Sequence, residues 1–343
     1  MRWSSVPARW ALVCGLAALA LALLTFTLVS QPVEAQETAD PATADPSGGL
    51  DPVTTPAPLP TMQPYTNPQG LSRADGVTVE LYFAALLQGT TGLVRVYGEN
   101  PAGSPLAGVR ARWQNLLLDF YTVGDGRFYG LVAAGMETDT GDAPLDVFLT
   151  YADGSRSARN LTIPIGLGSF IYQDVNVPAD RAYLLDVETE RSELSRLESL
   201  IAPITLERRW GMGGFQLPIP SALTSPFGAF RTFNSALSTR HTGWDIRVGA
   251  GMPVGASAGG RVVYTGELPI RGSYVMLDHG YGVYTGYAHL SDILVERGDV
   301  VERGQVLGAT GATGRVSGAH FHWEVAVDGV FVDGVQFIQM WQP

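Results

Sequence analysis

The sequence predicts a mainly β protein in three parts: an immunoglobulin-like β-sandwich, a helical connector and an antiparallel β-rich C-terminal domain. Turn formers are abundant, with 41 Gly and 22 Pro in 343 residues, and only 16% of residues are charged, a composition that argues against long helical bundles. Between residues 77 and 165, short runs of β-branched and aromatic residues alternate with Asn100-Pro101, Gly124-Asp125-Gly126 and Asp153-Gly154, the punctuation of strands joined by turns. Near the C terminus, His320-Phe321-His322-Trp323-Glu324-Val325-Ala326-Val327 alternates polar with apolar side chains at first, as a strand does when one face enters a core. The length exceeds that of one ordinary domain, so boundaries are expected.

Taken in order, Arg2 and Arg9 precede an uncharged apolar stretch at residues 10–30, long enough to span a bilayer as a helix. Val33-Glu34-Ala35 follows as an acceptable cleavage site. Residues 1–35 are therefore expected to be a signal peptide or a signal anchor. The basic N-terminal flank and acidic distal flank place the remainder outside the cytoplasm, in the cell envelope, held to the membrane if the segment is uncleaved. The sole cysteine, Cys14, lies in that apolar stretch, so the folded part has no disulfide and no thiol nucleophile.

Residues 36–76 are rich in Thr, Ala, Asp and Pro, with Thr38-Ala39-Asp40-Pro41 repeated at once as Thr43-Ala44-Asp45-Pro46. Such a segment buries too little apolar area to offset its ordering entropy and reads as a disordered linker. Residues 77–166 follow as the sandwich; they hold no His, no Cys and no convergent acid cluster, which suits a spacer or binding module. Residues 167–214 form the connector. Leu194, Leu197, Leu200 and Ile201 recur there at helical spacing until Pro203 stops the helix.

The chemistry gathers in residues 215–343. All five histidines fall there: His241, His279, His289, His320 and His322. His241 and Asp245 would stand about 13 Å apart on a straight strand, too far to share an ion, but Gly243 permits a bend that brings them together. On a strand, His320, His322 and Glu324 share one face and can meet that bend. Two His, one Asp and an open fourth position define a catalytic zinc site, whereas a structural site fills all four positions and usually employs Cys. A further histidine near a zinc-activated water can serve as general base and then proton donor.

Several motifs in sequence order resemble the lysostaphin-type (LytM-domain) zinc metalloendopeptidases. They are Leu217-Pro218-Ile219-Pro220, the H-x-G-x-D element at His241, Gly243 and Asp245, Gly251-Met252-Pro253-Val254, Asp278-His279-Gly280, Tyr287-Ala288-His289-Leu290, and residues 313–324 ending in His320-Phe321-His322-Trp323-Glu324. The resemblance implies one Zn2+ per chain, ligated by His241, Asp245 and His322. It also implies that His289 and His320 contact the catalytic water as base and transition-state stabiliser, with their division of labour open. His279 matches a family position, yet its place beside a Gly-Tyr-Gly turn gives it a structural role. Ala319 stands where Pro is common, and Asp333-Gly334 replaces a frequent Asp-Pro; neither touches an implied ligand. The implied activity is extracytoplasmic hydrolysis of the stem or bridge peptides that cross-link bacterial peptidoglycan.

Two rival functions within the family's reach are a wall-binding or amidase-activating module that has lost its zinc ligands, and a zinc peptidase acting on protein. The intact ligand set disfavours the first, and the extracytoplasmic address disfavours the second. Residues 300–308 (VVERGQVLG) also look like part of a lipoyl or biotinyl carrier, but the 22 basic residues are all Arg, so no lysyl carrier, Schiff base or Walker-type site exists. The net charge of −11 removes nucleic acid as a partner.

Overall fold

The computed structural model describes residues 66–340 and 343. The expected signal or anchor segment and most of the linker lie outside the described residues. Among the described residues, no helix is long and apolar enough to cross a membrane.

Residues 70–166 build two five-stranded sheets. One has the order β1 (Gly70–Ala74), β2 (Val77–Leu81), β4 (Thr91–Gly98), β8 (Phe128–Ala133) and β7 (Tyr121–Thr122). The other has the order β3 (Leu86–Leu87), β10 (Arg156–Gly166), β9 (Gly141–Tyr151), β5 (Leu106–Trp113) and β6 (Leu116–Asp119). Leu145, Val147, Leu149 and Tyr151 alternate inward along β9 and share one core with Val79, Val94 and Val96 of the first sheet. Each sheet thus buries one face against the other, as two-period strands require.

Strand β1 corrects the linker expectation, because it begins inside residues 36–76. It pairs with β2 across Asp75-Gly76, whose φ angles are 48° and 81°. A two-residue Asp-Gly turn with both residues left-handed is a strong hairpin signal, and it closes the sandwich seven residues earlier than the composition alone suggested.

The connector is more structured than its single expected helix. β11 (Tyr172–Val175) runs parallel to β13 (Phe230–Phe233), which pairs antiparallel with β14 (Leu237–Arg240) in a three-stranded sheet. A 3₁₀ turn at Ala179–Leu184 follows, then α1 (Val187–Ile201). Asp186 caps α1 by accepting from the Thr189 amide at 2.8 Å. Leu197 and Ile201, four apart, are buried among Tyr274, Met276 and Tyr284.

The C-terminal region is a ten-stranded sheet. Its main path is β12 (Leu223–Ser225), β15 (Gly243–Ile246), β22 (Phe321–Val327), β19 (Val283–Ile293), β18 (Gly272–Gly280), β17 (Gly260–Leu268) and β20 (Val300–Val301). β16 (Pro253–Gly255) pairs with β21 (Val306–Thr310), β21 also pairs with β19, and β23 (Val330–Val332) pairs with β22 before the short helix α2 (Gly334–Gln339). All the pairings within this sheet are antiparallel.

The sandwich and this sheet pack directly on each other. Tyr121 meets Trp210 edge-on at 5.3 Å between ring centroids and Tyr281 at 5.3 Å. Gln336 accepts from the Thr91 amide and donates to its carbonyl, each at 3.0 Å. Tyr82, Leu93 and Leu131 of the sandwich belong to the same buried cluster as Phe215, Val283 and Trp323.

Candidate active site

Strand register brings the polar cluster together. Asp245 on β15 lies opposite His322 on β22, and His322 lies opposite Ala288 on β19. β22 begins at Phe321, so His320 precedes the strand instead of opening it, but its ring still faces the cluster, with Nε2 3.5 Å from Asp245 Oδ1. The role expected of Gly243 changes. It stands in β15 itself, and a Cβ there would come within 2.1 Å of the Trp323 carbonyl oxygen, so close approach to β22, not a bend, requires glycine. The turn lies just upstream, where His241 exchanges backbone hydrogen bonds with the 228–229 segment.

His289 reaches the cluster through a β-bulge. Ser273 pairs with Leu290 and Val275 with Tyr287, so Ala288 and His289 together oppose Tyr274. His289 takes φ 58°, an uncommon conformation for a residue with a Cβ, and the bulge turns its ring beside His320 and His322, at centroid distances of 4.7 and 5.9 Å. All four histidines and Asp245 line one cavity of about 330 Å³.

His241 Nε2, Asp245 Oδ1 and His322 Nδ1 converge, with separations of 3.1, 2.9 and 2.9 Å. Outer partners fix what these atoms are. His241 Nδ1 donates to the Pro226 carbonyl at 2.8 Å, and His322 Nε2 lies 3.1 Å from Glu324 Oε1 and donates to it. In its neutral form each ring then presents a lone pair, not a proton, to a carboxylate oxygen and to the other ring. Three electron-rich atoms so arranged call for a cation between them. The edges of a tetrahedral zinc site with bonds near 2.05 Å are about 3.3 Å, close to what is found, and the donor set of two imidazoles and one carboxylate fits that ion. Among the described residues this is the one such group.

The electrostatics set the two ligand rings apart. Burial lowers His241 to about 4, against the pull of Asp245. For Asp245, burial acts upward, but His241 and Arg231 outweigh it and hold the carboxyl well below its ordinary range. Burial acts downward on His322, yet Asp245 and Glu324 carry it above the ordinary histidine value. His289 is pushed well below that value by burial, with His320 and His322 adding to the effect. Its Nδ1 donates to the Thr313 carbonyl at 2.8 Å, which leaves Nε2 as a free base. His320 Nδ1 donates to the Gly318 carbonyl at 3.0 Å, so it too offers Nε2.

His279 is apart from this group, fully buried between the Gly259 carbonyl at 2.7 Å and Thr285 Oγ1 at 2.8 Å. Sequence reasoning missed Arg231, which pairs with Asp245, and Arg271, which grips Glu324. Both arginines sit in unremarkable strand or turn contexts, and only tertiary pairing assigns them a partner.

A fold of this kind, with two histidines and an aspartate at the meeting of three strands, defines a metallopeptidase-like β domain. Residues 239–334 match the family model described as Peptidase family M23, and that part of the chain is an M23 domain of the LytM/lysostaphin type. The chain is 47% identical over 89 residues to the peptidoglycan DD-endopeptidase ShyA of Vibrio cholerae, covering 26% of this chain and 21% of that protein. It is 39% identical over 126 residues to the DD-carboxypeptidase/endopeptidase Mpg of Neisseria meningitidis serogroup B, covering 36% of this chain and 29% of that protein. The matches thus span less than a third of either relative. A crystal structure of a Pseudomonas aeruginosa protein assigned to peptidase M23 superposes with a TM-score of 0.55 at 25% identity, over 75% of this chain and 96% of that one.

Proposed function

We propose that this protein is an extracytoplasmic zinc metalloendopeptidase that hydrolyses peptide cross-links of bacterial peptidoglycan. The observation that carries the reading is the convergence of His241, Asp245 and His322 through three lone-pair-bearing atoms, with His289 and His320 beside them in one cavity. The peptidoglycan endopeptidases among the relatives support the substrate class.

His241 Nε2, Asp245 Oδ1 and His322 Nδ1 are the atoms that would hold zinc. When bound, zinc supplies Lewis acidity, which polarises an amide carbonyl and acidifies water. His289, kept neutral by burial, is suited to accept a proton from the attacking water at Nε2 and to return it to the departing amine. His320 lies nearer the cavity mouth, and its Nε2 is suited to stabilise charge that develops on the substrate. Residues 215–343 are read as the peptidase unit and residues 77–166 as an immunoglobulin-like module. Residues 1–35 are read as the signal peptide or membrane anchor that sets the address.

The test is mass spectrometry of purified peptidoglycan digested by the zinc-loaded protein, beside glycine-rich and elastin-like peptides. Release of uncrosslinked muropeptides is expected. No soluble peptide product, under conditions where a related enzyme is active, would sink the proposal, and faster cleavage of the protein-derived peptides would move the substrate class to protein.

A further inference from the structure

Behind His322 runs a chain of buried charge that starts on α1, outside residues 239–334. Glu193 is 3% exposed. It accepts from the backbone amides of Ile270 at 2.6 Å and Arg271 at 3.1 Å, and from Arg271 Nη1 at 2.9 Å. Arg271 then donates from Nε and Nη2 to Glu324 at 2.6 to 3.1 Å. Glu324, 1% exposed, also accepts from Tyr274 Oη at 2.7 Å and from the Thr242 hydroxyl. Its Oε1 takes the Nε2 proton of His322 at 3.1 Å. The backbone of the same arginine serves the other histidine, because the Arg271 carbonyl accepts the His289 amide at 2.8 Å.

Buried ion pairs contribute little net stability, since desolvation consumes most of their attraction. The value of this one lies in where it ends. A carboxylate that accepts Nε2–H fixes the tautomer and ring orientation of His322 and strengthens Nδ1 as a donor. Arg271 holds that carboxylate with a planar fork, and Glu193 fixes Arg271 through both its backbone and its guanidinium. One helix residue thus sets the place of residue 271, from which both His322 and His289 take their positions.

We infer that Glu324 and Arg271 are positioning residues for His322, and that Glu193 on α1 completes the metal centre from outside the matched M23 segment. The inference rests on the reading of His322 as a zinc ligand.

The experiment uses the full chain as wild type, Glu324→Gln, Glu193→Gln, the double variant, and Glu188→Gln as a control on the exposed face of α1. Zinc affinity is measured by competition with a chromogenic chelator, the visible spectrum of the cobalt-substituted protein reports ligand geometry, and melting checks the fold. Glu324→Gln is expected to weaken zinc binding about 10- to 100-fold, and Glu193→Gln, one step further out, about 3- to 10-fold. The double variant should lose less than the product of the two, because both act through Arg271, and Glu188→Gln should match wild type. Should Glu193→Gln not fold, Glu193→Asp, which withdraws the carboxylate by one methylene, is read in its place. Wild-type affinity and an unchanged cobalt spectrum in folded Glu324→Gln overturn the inference, as does strict multiplicativity of the two losses for the helix contribution. A wild-type chain that binds no zinc overturns the proposed function itself, and this inference with it.

Discussion

At the scale of single residues, the site separates groups that hold from groups that act. His241→Ala removes one of three converging donors, so metal content measured by elemental analysis should fall from one ion per chain to near zero, and hydrolysis with it. His289→Ala should retain the ion, because its Nε2 is not among the converging atoms, while turnover falls by about 10²- to 10⁴-fold, the usual contribution of a positioned base. Full activity in that variant would remove His289 from the mechanism. His279 yields a pH prediction. Burial lowers it from the ordinary 6.5 to about 4, so between those values the unfolded chain binds a proton that the folded chain refuses. The stability tied to neutral His279 is complete above pH 6.5 and is lost as pH falls to about 4, a change of about 3 kcal/mol. Urea unfolding at pH 7.5 and 4.5 should show about 2.5 kcal/mol of that loss, and an equal stability at both pH values would contradict the assignment.

At the scale of elements, what was legible in the sequence is what local periodicity controls. His322 and Glu324 share a strand face because their spacing is two, and α1 carries Leu197 and Ile201 inward because theirs is four. Leu197→Ala, at 0% exposure, should therefore cost about 2–5 kcal/mol, read as a lower melting temperature. Two things were hidden for different reasons. The Thr- and Pro-rich composition N-terminal to Asp75-Gly76 masks the two-residue turn signal of that hairpin. β11 was invisible because a parallel pairing with β13, more than fifty residues away, leaves no local trace in Tyr172-Gln173-Asp174-Val175. Arg271 and Glu193 are separated in the same way, and no spacing rule links them. The bulge at His289 is intermediate: the motif drew attention to the histidine, but only the register of β18 against β19 explains how its ring turns into the cavity.

At the scale of the whole molecule, the described residues share a core that runs from the sandwich into the peptidase sheet. Calorimetry should accordingly record one unfolding transition for this region. Trp210→Ala, which empties the contact among Tyr121, Phe215 and Tyr281, should lower its midpoint by the equivalent of about 3–5 kcal/mol; two well-separated transitions in the wild type would show that the halves fold independently. The helix-to-arginine contact bears on how such a protein can be cut and recombined. Residues 239–334 look like a portable cassette when sequences are compared, but a graft carrying only that stretch would arrive with the Ile270 and Arg271 amides and half of a guanidinium facing nothing. A recipient scaffold would have to furnish a carboxylate at the same spot. On the inference drawn for Glu193, the unit that can be shuffled between proteins reaches beyond both the recognised segment and residues 215–343, with its upstream border before Glu193.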